Sequence, residues 1–214
     1  MMGRARTALL LGLGLVLAAG CQREDRGASG VREASNGLEP YTKCEFGAGL
    51  VAVSVDRLPG TGVRHRSVVT AEGERRVSMM DGYRVLLAYP GTEYFANVKV
   101  ERSAPDEYVS DRGVIVAGLE HLAATGGPAK GTVEHRHLRG FDMVCLNNST
   151  INVPGPISMY VLFNDSTQTV VTVYFLNQRA EQRRFQTFEE YAALRDAFLE
   201  DYTKCIERGG PTTR

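Results

Sequence analysis

Four cysteines and four histidines are the residues of this chain best equipped for chemistry, and their spacing limits what each can do. Cys21 closes the run Leu17-Ala18-Ala19-Gly20-Cys21, so its thiol stands where a signal peptidase cuts and where an acyl group could be attached. Cys44, Cys145 and Cys205 lie beyond it. In an oxidising compartment three thiols support one disulfide and leave one over. A Cys44–Cys205 bridge would tie the start of the folded region to its end and contribute about 2–4 kcal/mol. Another pairing stays open, because geometry selects the partner. Cys145 shares a strand face with Phe141 and Met143 and reads as a small buried hydrophobe rather than a reactive thiol.

His135 and His137, two apart on a strand, project from one face, with Glu120 or His121 as a third metal ligand. Arg136 and Arg139 crowd the site with positive charge, so the pair reads as a solvated strand face and no metal is expected. No Gly-x-Ser-x-Gly elbow or Ser-x-x-Lys pair surrounds a nucleophile. The Gly-x-Gly pairs at 47–49 and 60–62 precede no helix and so make no phosphate loop. No catalytic residue and no cofactor is therefore expected, and the chain does not read as an enzyme. Arg64, Arg66, Arg75 and Arg76 concentrate positive charge that reads as solvated surface, with anionic headgroups or an acidic partner as the alternative.

The residues around Cys21 form one signal. Arg4 and Arg6 precede an apolar run from Ala8 to Gly20, too short to cross a bilayer, which takes roughly 20 residues. The polar Gln22-Arg23-Glu24-Asp25-Arg26 follows. The whole resembles the lipobox signal of bacterial lipoproteins, with Ala18 where leucine is commonest. That resemblance implies a signal peptide at 1–20 and lipidation of Cys21 by a diacylglyceryl group bearing palmitate-type chains. Two or three such chains, at about 0.8 kcal/mol per buried CH₂, hold a protein at a membrane almost permanently. Gln22 in place of aspartate favours the periplasmic face of the outer membrane. An ordinary secretory signal cut after Ala19 or Gly20 is the alternative.

The stretch Gln22 to Pro40 is charged, contains Gly and Ser, and has no aromatic residue. It reads as a flexible tether with a coil dimension of about 24 Å. Removing residues 1–20 takes away Arg4 and Arg6 and no acid, leaving the rest two charges negative. That balance gives no footprint for nucleic acid. A single domain is expected over 41–208, followed by a short disordered tail at 209–214.

Strands are expected at 50–55, in a hairpin of 66–70 with 75–80, at 83–89 and at 94–101. A helix follows over Asp106–Thr125, with Ser103 as its cap and Tyr108, Arg112, Ile115, Leu119 and Leu122 in one stripe. Four strands come next, at 132–137, 141–146, 157–163 and 169–176. The last two are apolar on both faces, so layers are expected on both sides of the sheet. Thr187-Phe188-Glu189-Glu190 is a capping box that opens a last helix with Tyr191, Leu194, Phe198, Tyr202 and Cys205 in one stripe. The fold class is α+β, a mostly antiparallel sheet flanked by two helices.

Ala96-Asn97-Val98-Lys99-Val100 feeding the first helix, the meander from Gly131 to Leu176 and the terminal helix resemble the PsbP/DcrB-type α/β/α sandwich over roughly residues 80–208. Such domains mostly serve binding or assembly, and no motif residue carries over. The sequence thus points to a non-enzymatic, lipid-anchored binding module for another envelope component, for example an inhibitor or immunity-type lipoprotein. A periplasmic hydrolase with an unfamiliar site is one alternative. A sensor of a metal or small ligand, using a cleft between sheet and helix, is another.

Overall fold

The computed structural model describes residues 37–209 apart from 45, 48, 59–61, 93–94, 126–130, 148–154 and 178–184. The expected signal peptide, the lipidated Cys21, most of the tether and the tail beyond Gly209 lie outside the described residues.

Eight strands form one sheet in the order β1-β3-β4-β8-β7-β6-β5, with β2 paired to β3. The strands are β1 (Val51–Arg57), β2 (Arg64–Thr70), β3 (Gly73–Ala88), β4 (Ala96–Ser103), β5 (Thr132–Leu138), β6 (Phe141–Asn147), β7 (Gly155–Asn164) and β8 (Thr169–Asn177). Each described pairing is antiparallel. Among the described residues three helices, α1 (Glu39–Lys43), α2 (Tyr108–Thr125) and α3 (Phe188–Glu207), accompany the sheet. The α+β class and the antiparallel sheet are as expected; the short α1 is an addition.

The doubly apolar β7–β8 hairpin explains the two layers. Val161, Phe163 and Val170 enter a core with Tyr108, Ile115 and Leu119 of α2. The alternate residues Tyr160, Leu162, Val171, Val173 and Phe175 enter the opposite core with Tyr191, Phe198 and Tyr202 of α3. Strand periodicity of two thus sends neighbouring side chains to different helices.

α3 begins as its sequence dictates. The Thr187 hydroxyl accepts from Glu190 N at 3.2 Å, and the Glu190 carboxylate accepts from Gln186 N at 2.8 Å. The reciprocal arm lands one residue before the cap, and it still satisfies an orphan amide.

Three expectations need correction. The strands expected at 75–80 and 83–89 are one 16-residue strand, β3, whose first half pairs with β2 and second half with β1. Asp81-Gly82 looks like a break but sits at an irregularity in the pairing with β4. There a Cβ on Gly82 would lie 2.7 Å from Val100 O, so the backbones approach too closely for any larger residue. The helix expected from Asp106 starts instead at Tyr108. Ser103 stays in β4, Ala104 N donates to Ser78 O at 2.7 Å, and Asp106 adopts φ +65°, which stops the helix from extending backward. Finally, Leu38 to Pro40 belong to the fold rather than to the tether, since Leu38 is wholly buried in the α3-side core.

Candidate functional site

β4 is interior to the sheet, yet only one of its faces is apolar. Ala96, Val98 and Val100 point into the α3-side core, whereas Asn97, Lys99, Glu101 and Ser103 alternate with them. Glu101 is almost wholly buried. Its carboxylate faces Lys99 Nζ at 2.8 Å, Arg64 Nη2 at 3.4 Å and Arg66 Nη1 at 3.6 Å. Both arginines reach it because β2 alternates: Arg64, Arg66 and Val68 are half-buried, while His65, Ser67 and Val69 face solvent. Three cations thus surround one carboxylate. Burial pulls the Lys99 ammonium below its ordinary value, and Glu101 opposes that shift.

Beside this cluster runs a groove of about 550 Å³ between α2 and β2, floored by β4, β8 and β7. Its helix wall carries Ile115, Leu119 and Leu122, and Val68 closes the β2 side. The two walls meet at Gly118, where a Cβ would lie 2.3 Å from Val68 Cγ1. The groove is therefore held open on one side of a close helix–strand contact and apolar along most of its length.

The sequence-expected site residues fall elsewhere. The structure joins Cys44, at the end of α1, to Cys205, in the last turns of α3, with Cα atoms 5.7 Å apart. Tyr202 Oη donates to Tyr41 O at 2.8 Å beside that bridge. Cys145 is buried and free, and burial pushes its thiol up to about 11, far from a nucleophile's range.

His135 and His137 share a face of β5 but do not converge. His135 Nε2 lies 3.9 Å from Glu120, while His137 Nδ1 bonds Asp142 at 2.8 Å. The His137 bond, and then the Arg112 guanidinium, hold the Asp142 carboxyl below its usual range. His121 lines the groove instead. Among the described residues no group of three His, Cys, Asp or Glu could hold a metal ion. Arg112, expected on the apolar stripe of α2, turns out to bridge Asp142 at 2.6 Å and Asp165 at 2.6 Å.

One hydroxyl–imidazole pair exists that the sequence did not suggest: Ser78 Oγ lies 3.2 Å from His65 Nδ1. The Asp111 carboxylate accepts from the backbone amide of Ser78 at 3.0 Å. Among the described residues no carboxylate is hydrogen-bonded to the His65 imidazole, the place of the third member that gives such a serine its nucleophilicity.

The two ends of the sheet differ sharply. Along β5 Arg136 pairs with Glu134 at 2.7 Å and Asp196 at 3.4 Å, and in the turn after it Arg139 pairs with Glu200 and Glu207. Charged side chains of this kind discourage strand addition. On β1 the charges sit at one end, where Asp56 accepts from Ser54 Oγ and Arg57 lies 3.7 Å from Asp81. Val51, Val53 and Val55 are 42%, 52% and 48% exposed, and β3 is the strand to which β1 pairs. No family model, no curated protein and no solved structure matches this chain.

Proposed function

We propose that this chain is a lipid-anchored protein of the bacterial cell envelope whose α+β domain is a non-enzymatic binding or assembly module for another envelope component. The observation that carries the binding role is the row of three exposed valines, Val51, Val53 and Val55, on the β1 edge strand. An extended segment of a partner protein would add as a further strand there, with backbone hydrogen bonds for affinity and the valines for apolar contact. The anchor role rests on the Leu17–Cys21 signal. Acyl chains on Cys21 would confine the domain to the periplasmic face of the outer membrane and raise its effective concentration near partners there. The finer fold reading, a PsbP/DcrB-type α/β/α sandwich, is supported by the order β4, α2, four antiparallel strands and α3, with α2 and α3 in opposite cores.

Two experiments test the halves separately. A photo-crosslinking residue placed at Val53 of the full chain in native envelopes is expected to yield a defined adduct. The same residue at Arg136, on the charged edge, should yield none. Adding Val55→Lys should abolish the Val53 adduct while leaving thermal stability unchanged, because exposed substitutions cost within about 0.5 kcal/mol. Equal adducts from both edges, or none at Val53, would overturn the β1 reading. For the anchor, Cys21→Ser is expected to shift the protein wholly from membrane pellet to soluble fraction, and retention in the pellet would overturn it.

A further inference from the structure

The groove between α2 and β2 has a polarity gradient built into its floor. Lys99 on β4 pairs with Thr172 on β8, which pairs with Val161 on β7. One register step along, Asn97 pairs with Tyr174, which pairs with Met159. The floor thus passes from a cation through a hydroxyl to apolar side chains over two inter-strand steps, about 10 Å. Leu119 and Leu122 of α2 line the same groove. At the β4 end, Arg64, Arg66 and Lys99 outnumber Glu101 by two positive charges.

From this geometry we infer that the groove binds a long-chain fatty-acid carboxylate, its head between Arg66 and Lys99 and its chain running across β8 to β7 beneath Leu119 and Leu122. The size fits, since pockets for small ligands run from roughly 300 to 1,000 Å³ and are mostly apolar with a few placed polar groups. The charge fits as well. One added carboxylate halves the excess, from two positive charges to one, among cations that are half-buried. The head chemistry fits too, because the same cations already receive one carboxylate, that of Glu101, and guanidinium groups favour planar, forked oxygens. This inference uses neither the anchor nor the β1 edge, so it stands or falls apart from them.

The test is photo-labelling of the full chain in phosphatidylcholine vesicles with a diazirine analogue of palmitate, the labelled residues being located by mass spectrometry. Label is expected in the α2 segment 115–125 and in the β2 segment 66–69. The fatty alcohol of the same length should label at least tenfold less, as should a lysophosphatidate analogue. Arg66→Gln should weaken labelling about tenfold, the loss of one charge-assisted hydrogen bond. Leu122→Trp, which fills the groove and leaves the charges alone, should weaken it similarly. Both variants are checked for unchanged circular dichroism. Should Arg66→Gln unfold the chain, the alcohol comparison and Leu122→Trp still decide. Equal labelling by alcohol and acid, preference for the phosphate head, competition by acetate alone, or label scattered over the surface would each overturn the proposal.

Discussion

Replacing both Cys44 and Cys205 by serine is expected to lower stability by about 3–5 kcal/mol. The bridge closes a separation of 161 residues, which in the loop-closure treatment corresponds to about 5 kcal/mol. Measured losses for native bridges run slightly lower, about 2–5 kcal/mol. In a chain of this length that is a drop in Tm of roughly 10–15 °C. The local structure concentrates the loss. α1 has five residues and no side-chain cap, so nothing intrinsic to it holds a helix. What holds it is the bridge, the Tyr202–Tyr41 hydrogen bond and the burial of Leu38 and Tyr41. Hydrogen exchange should therefore show the amides of Tyr41, Thr42 and Lys43 losing protection first, before the sheet does. Reduction of the wild type should reproduce the serine variant, since Cys145 is buried and unpaired. A Tm within 2 °C of the oxidised protein would show that the packing of α1 carries the stability unaided.

The parts of the fold that sequence made legible are those where one rule acts alone. Thr187-Phe188-Glu189-Glu190 dictates a helix start whatever lies nearby, and the doubly apolar β7–β8 hairpin requires cover on both faces. The misread parts are those where a distant contact overrides a local preference. Asp81-Gly82 has the composition of a turn, yet the close approach of β4 makes glycine the residue that a continuous strand needs there. Ser103 has the chemistry of a helix cap, but its place in β4 is fixed by a hydrogen bond from its amide to Gln168 O at 3.2 Å. The charged, aromatic-free composition of 22–40 places Leu38 in the tether, although Leu38 and Tyr41, three apart, mark one apolar helical face.

The groove and its charges were legible only in fragments. The alternation in Ala96-Asn97-Val98-Lys99-Val100-Glu101 carries a polar face on a strand that the fold places inside the sheet. That signal is readable only once the strand is known to be central. Charge alone makes the arginines of β2 read as solvated surface. Arg64 and Arg66 instead turn inward to Glu101, while Arg75 and Arg76 do face solvent. The difference is one of position: Arg75 pairs with Val68 and so shares a face with Arg64 and Arg66, but it and Arg76 lie nearer the β2–β3 turn, before the pairing of β3 with β4 begins at Met79.

Glu101→Gln is the second large effect expected. The side chain keeps its shape but loses the charge that three cations share, and Arg64, Arg66 and Lys99 are then left to repel one another at half-buried positions. Removing one partner of a fully buried pair costs about 3–5 kcal/mol, and partial exposure of these cations reduces the expected loss to about 2–4 kcal/mol. Urea unfolding checks the figure, and a change under 0.5 kcal/mol would mean that solvent already screens the cluster. Adding Lys99→Met to Glu101→Gln should recover part of the loss, because it removes one of the repelling charges, giving a coupling of about 1–2 kcal/mol. The pH dependence has a definite sign. Lys99 titrates below 10.5 in the folded protein because burial disfavours its charge, so between that lowered value and 10.5 the unfolded chain holds more protons. Its contribution to stability therefore rises with pH across that window. In Glu101→Gln the attraction that opposes burial is gone, so Lys99 should lose its proton at lower pH and the rise should begin earlier. In Lys99→Met the rise should vanish, which separates this lysine from every other group that titrates at alkaline pH.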